Sequence, residues 1–220
     1  MLQLPGARTV CYASATPFEE PGSDEVRPPG EVKGRGRQAS VDYVSANFFE
    51  ALGVPIVRGR VFANSDVPAK GMAQVSVVSE AFARALWKGQ DPIGKAVETS
   101  DDMLLLVVGV ARDTMSEQFG ALDLPRQYRL QAPQSFGGPL FVRFDGDPNV
   151  LAPSIQKTVR NLDAAQVAVP RTLRTKMDDA AAIIGRMAKM VVFRSKEDGR
   201  VTSSPNSDVR PVGTVGTLGT

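Results

Sequence analysis

The sequence predicts an α+β fold, on three observations. Short β-branched or apolar runs at 41–44, 74–78, 103–111 and 140–144 have strand length and are bounded by Gly, Pro, Ser and Asp. Three of these runs lead into stretches with helical spacing: Phe48, Phe49 and Leu52; Phe82, Ala85 and Leu86; Leu151, Ile155, Val159 and Leu162. The chain also has 220 residues, 42% of them hydrophobic, enough for a core of ordinary size.

In order along the chain, residues 9–15 read as a short strand that Pro17 ends, and 18–36 as a mobile loop centred on Pro28-Pro29-Gly30. The stretch Val41 to Arg60 reads as strand, short helix, stop and second strand. Ser45 is expected to offer its side-chain oxygen to the free N–H groups of the turn 46–52. Gly53 supplies the left-handed stop, and Pro55 prevents a restart. A strand at 74–78 runs into Ser79, which caps a helix over 80–87 that Gly89 closes. Asp91-Pro92-Ile93-Gly94 has the composition of a turn with Pro second and Gly last. Residues 95–99 and 103–111 form a hairpin around Ser100-Asp101-Asp102, and Gly109 marks a bulge or a close backbone approach. Residues 113–126 read as irregular and 128–131 as a short edge strand. A strand at 140–144, a turn, a helix over 151–162 and a strand near 167–169 make a strand-helix-strand unit. Pro153 is expected in the first turn of that helix. The Ser, Pro, Gly and Thr-rich residues of the tail are expected to be disordered.

Composition excludes several functions. Lys plus Arg number 26 against 24 for Asp plus Glu, a net charge of +2, too balanced for a nucleic-acid partner. The sequence has no histidine, which removes His-based nucleophilic catalysis and the commonest nitrogen ligand for metals. Its single cysteine, Cys11, allows no internal disulfide and reads as a small buried apolar residue. The run 103–111 is about half of the roughly 20 residues a membrane helix needs, and the N-terminus lacks the pattern of a signal peptide. As written, the chain reads as soluble.

Two glycine motifs fail on context. Gly89 to Lys95 matches G-x-x-x-x-G-K, but Ala96 stands where a phosphate loop needs Ser or Thr, and the segment follows a helix rather than a strand. Gly34-Arg-Gly36-Arg-Gln-Ala39 leads into a strand, whereas a dinucleotide loop opens a helix. The charges of Lys33, Arg35 and Arg37 are expected to be solvated, and those of Arg58, Arg60 and Asp66 exposed or ion-paired. Asp101-Asp102 and Asp178-Asp179 are sequence neighbours that do not face one another as an acid/base pair must. No catalytic, cofactor-binding or metal-ligating residue is nominated, and no enzyme activity is expected.

The order of motifs resembles a known family. Val44-Ser-Ala-Asn-Phe-Phe-Glu-Ala-Leu-Gly-Val-Pro-Ile-Val-Arg-Gly-Arg60 with Phe62 and Asp66, then 75–87, Asp91-Pro-Ile-Gly-Lys95, 107–113 and Leu140-Phe-Val-Arg143 are similar to the MacB-type periplasmic core domain of bacterial ABC transporter permeases (the MacB/FtsX-like family). The resemblance implies an extracytoplasmic domain in the cell membrane. It also implies a porter-like αβ lobe built from 1–40 and 131–190, an inserted mixed, β-rich lobe at 41–130, and a tail at 191–220. The partners it implies are the membrane helices of a permease, a cytoplasmic ATPase and a periplasmic protein. The function it implies is non-catalytic: the domain relays ATP-driven motion to a substrate or partner, and needs no cofactor. The polar tail suggests a truncated fragment. The alternative is a free-standing soluble interaction module on the same fold.

Overall fold

The computed structural model describes residues 7–16, 19, 21–68, 72–114, 125–135, 137–145, 147–162, 169–176, 178, 193–194 and 201–202. They fall in two units, Met1–Thr172 and Leu173–Thr220.

The first unit holds two sheets. In the smaller, β1 (Ala7–Tyr12) pairs antiparallel with β9 (Leu140–Phe144). The larger is seven-stranded and mixed, made of β2 (Gly22–Val26), β3 (Arg37–Val44), β4 (Ile56–Gly59), β5 (Met72–Ser79), β6 (Ala96–Glu98), β7 (Leu104–Ala111) and β8 (Arg126–Gln131). Its spatial order is β2-β3-β8-β5-β7, with both β4 and β6 beside β7. Pairs β3–β8 and β5–β7 are parallel and the rest antiparallel. Among the described residues of this unit the α-helices are α1 (Phe48–Leu52), α2 (Glu80–Trp87) and α3 (Pro148–Leu162).

Strand periodicity gives the large sheet two apolar faces. Val77 and Val78 are adjacent, both fully buried, and belong to different clusters because successive side chains point to opposite faces. One cluster gathers Val44, Val77, Tyr128 and Leu130 with Phe48 and Phe49 of α1. The other gathers Val26, Ala39, Val78, Val107 and Val110 with Phe82 and Trp87 of α2. Ser79 caps α2 as the sequence predicts: its Oγ accepts the Phe82 N–H at 3.1 Å. Gly109 is both a bulge and a close approach. The β5–β7 register shifts beside it, and a Cβ there would collide with the Arg60 carbonyl oxygen.

Several expectations are corrected. The 18–36 segment is not wholly loop, since β2 pairs with β3 over Gly22↔Val41 to Val26↔Arg37. Its Gly-Ser-Asp-Glu-Val sequence has low strand propensity, and the open edge of β3 supplies the hydrogen bonds that override it. Strand β8 begins at Arg126 and is central, between β3 and β5, with Gln127 and Arg129 buried. The turn after α2 closes by Lys95 N–H on the Pro92 carbonyl, so Gly94, at φ 79°, is its third residue, not its last. Lys88, with a left-handed φ of 38°, ends α2 before Gly89 does. Helix α3 starts at Pro148, which puts Pro153 in its second turn, exposed, where it removes the bond to the Asn149 carbonyl.

The strand expected at 167–169 lies outside the described residues except for Val169, which is exposed. In the second unit, 173–176 is a helical turn, and β10 (Phe193–Arg194) pairs antiparallel with β11 (Val201–Thr202). The rest of the tail expected to be disordered lies outside the described residues.

Asp24 and Asp66 link this fold to pH. Burial raises the Asp24 carboxyl, but hydrogen bonds from Ser100 and Arg129 and the charge of Arg129 outweigh it and hold it below the usual range. Arg60 holds Asp66 low against burial, helped by the Ala63 N–H. Both folded values lie below the unfolded ones, so the stabilisation is complete above the unfolded pKa and is lost as pH falls through the folded values. Urea midpoints should therefore drop below about pH 4. The drop should be shallower in Asp24→Asn, which starts from a lower midpoint at pH 7.

Candidate functional site

The Val41–Arg60 stretch joins the two sheets, and its polar residues do so by specific bonds. Ser45 Oγ accepts the Tyr12 N–H at 3.1 Å and donates to Asn47 Oδ1 at 2.9 Å. Asn47 Nδ2 donates to Thr9 Oγ1 at 3.0 Å and to the Val10 carbonyl at 2.9 Å. Ser14 N–H donates to the Tyr43 carbonyl, Tyr43 N–H to Ser14 Oγ, and Ala13 bridges Val44. Arg143 of β9 reaches the Ala51 carbonyl of α1 at 3.5 Å. Ser45 is thus not the side-chain cap the sequence suggests. Its hydroxyl is spent on β1, and the helix start uses its backbone carbonyl, which accepts the Phe48 N–H. Gly53 does end α1 in the left-handed region, at φ 70°.

Below this junction Phe48, Phe49, Phe62 and Tyr128 meet. Phe49 stands edge-on to Tyr128 with centroids 4.9 Å apart and to Phe48 at 5.4 Å, and lies 5.9 Å from Phe62. Cys11 lies in the same cluster, and burial pushes its thiol up to about 11, so it is protonated at neutral pH and a poor nucleophile.

Charges inside the large sheet are paired. Arg126 bonds Asp42, with both side chains buried, and Arg129 bonds Asp24. Arg129 Nε also donates to Gln127 Oε1 at 2.9 Å, and Gln127 reaches Ser76 at 3.4 Å. These residues were not singled out from the sequence. The available signal was charge inside strand-like runs, such as Asp42 between Val41 and Tyr43.

The weighed motifs find ordinary places. The amides of Gly34 and Gly36 donate to Glu25 Oε1 at 2.8 and 2.9 Å, so the chain's own carboxylate occupies the nest a phosphate would need. Lys95 lies 5.7 Å from the Trp87 ring and donates to Gln90. Arg60 pairs with Asp66, and Lys33 with Asp102. Asp101 accepts from Thr99 while Asp102 faces Arg27 and Lys33, so the two carboxylates serve separate partners. Arg35, Arg37 and Arg58 are exposed. Asp178 is described and Asp179 is not. Among the described residues no three Cys, Asp or Glu side chains gather as metal ligands.

Fold and junction together define a mixed α+β packing domain whose polar groups fasten one sheet to the other. The chain belongs to the family of MacB-like periplasmic core domains, whose model matches residues 12–169. The periplasmic region of MacB from Actinobacillus actinomycetemcomitans is similar at a TM-score of 0.55 and 14% identity, over 85% of this chain and 78% of that one. The extracellular domain of the noncanonic ABC-type transporter YknZ from Gram-positive bacteria gives 0.54 and 15%, over 75% and 81%. At such identities the likeness is one of fold. No curated protein matches the chain.

Replacing Asn47 tests the junction. Asn47→Ala removes both Nδ2 bonds to β1 and should cost about 1–3 kcal/mol in urea denaturation. Asn47→Asp keeps the acceptor for Ser45, loses the donors, and should fall near the alanine variant.

Proposed function

We propose that this chain serves as the extracytoplasmic domain of an ABC transporter permease, relaying motion driven by a cytoplasmic ATPase from membrane helices to a substrate or partner protein. The observation that carries this reading is the junction. Residues near the start of the chain (β1) and far along it (β9) form one ladder, and Ser45, Asn47 and Arg143 fasten that ladder to α1 and the large sheet. A connection of this kind transmits displacement and performs no bond chemistry. Family membership and the extracytoplasmic relatives support the placement.

The two-lobe division belongs to the same proposal: 1–40 with 131–190 as one lobe, 41–130 as the inserted one. The β1–β9 ladder supports it, whereas the pairing of β2 with β3 speaks for counting 22–26 with the inserted lobe. No described helix is long and apolar enough to cross a membrane, and the reading assigns that role to other segments of the permease.

Fractionation of the native host tests the reading. An epitope-tagged chain should be protease-accessible from outside the cytoplasmic membrane, sediment with membranes, and co-purify with an ATP-binding subunit. Recovery in a soluble extracytoplasmic fraction without an ATPase would instead support the free-standing interaction module, and a cytoplasmic location would contradict both.

A further inference from the structure

The two far edges of the large sheet meet at a single residue pair. Arg27, just beyond β2, and Glu98, the last residue of β6, exchange backbone hydrogen bonds of 3.0 and 2.8 Å and curl the sheet closed. Every other joint in this sheet runs over at least three registered pairs.

Besides these two bonds, Val26 and Val97 beside the pair are buried in the α2 core, and the rest of the closure is held by charge. Arg27 Nη2 donates to Glu98 Oε1 at 2.8 Å and Asp102 Oδ1 at 2.7 Å, and Nη1 to the Thr99 carbonyl at 3.2 Å. Lys33 adds a contact to Asp102 Oδ2 at 3.3 Å, and Ser100 N–H donates to Asp24 Oδ1 at 3.3 Å. Every contact runs from β2 or its loop to the turn 98–102. Asp102 there holds a left-handed φ of 62°, uncommon outside glycine.

Such a fastening behaves differently from an apolar seam. The Arg27 side chain is only 3% exposed, and its Nε has no acceptor among the described residues. A buried guanidinium is tolerated while its carboxylates are in place. Once one partner is lost, the uncompensated charge favours leaving the interior. The response is therefore steep, and salt screening of the exposed Asp102 and Lys33 weakens the hold. Release of β2 also withdraws Asp24 from the buried Arg129, which keeps Gln127 and the Tyr43 ring, 6.0 Å away, but loses its carboxylate, so this pair opposes release. The core around α1 shares none of these groups.

We propose that β2 and the loop 27–36 form a releasable strap, fastened by Arg27 to the 98–102 turn, whose release opens the curled sheet without unfolding the α1 core. The strap rests on the closure alone, independently of the transport reading.

Native-state hydrogen exchange on the 220-residue chain tests it. The Arg27 and Glu98 amides should exchange at least about 100-fold faster than the hydrogen-bonded amides of β5 and β8. Asp102→Asn, or salt near 1 M, should accelerate those two amides by roughly tenfold more and leave β5 and β8, which share no ladder with β2, unchanged. Lys33→Gln, in an exposed loop, is the second variant and should act in the same direction. Arg27 and Glu98 amides exchanging at the β5 and β8 rate would overturn the proposal. So would variants that leave the two amides unmoved, or that speed all strands together.

Discussion

The burial of Phe49 is the constraint on which the rest of the first unit depends. Its ring is 1% exposed and sits against Phe48, Phe62 and Tyr128, so the short helix α1 is held by its side chains and not by its length. A five-residue helix has almost no stability of its own in water. Full burial of one large apolar side chain contributes about 1.5–3 kcal/mol. The same cluster takes Cys11 from β1, Val44 from β3, Val77 from β5, Val108 from β7 and Leu130 from β8, with Phe141 of β9 packed against it. Both sheets thus share one apolar core, and the polar bonds of Ser45 and Asn47 fix how β1 approaches it.

A second constraint fixes which pairings the sheet can adopt. Arg126 meets Asp42 and Arg129 meets Asp24 across strands far apart in sequence. A slip of β8 by one residue would send both arginines to the opposite faces, each away from its carboxylate, so the buried charges specify register at the strand where apolar content alone would not. The closure at Arg27 extends the same chemistry to the sheet edge.

Local physics was legible where a residue acts through its neighbours. The Ser79 cap, the Gly53 stop, the hairpin at 95–111 and the glycine at 109 each follow from a few adjacent residues, and each is present. The resemblance to the periplasmic core domain was carried by the same blocks, because those blocks pack the core. What was hidden depends on distant partners. Strand β2 has little strand propensity and forms because β3 offers an edge. Residues 128–131 read as an edge strand, yet the partner that lets Arg129 be buried, Asp24, lies 105 positions away. Asn47 stood in the recognised motif, but its acceptors are on β1, so its role was visible only in the structure.

The aromatic core under α1 ties the β1–β9 ladder to the large sheet. Trp87 is the sole tryptophan and lies in the other core, so its fluorescence reports whether the sheet fails as one body. In urea, Phe49→Ala should lose about 3–5 kcal/mol, with the Trp87 transition and the far-ultraviolet dichroism shifting together. A Trp87 transition left in place, or a loss below about 1 kcal/mol, would contradict the claim that one core holds both sheets.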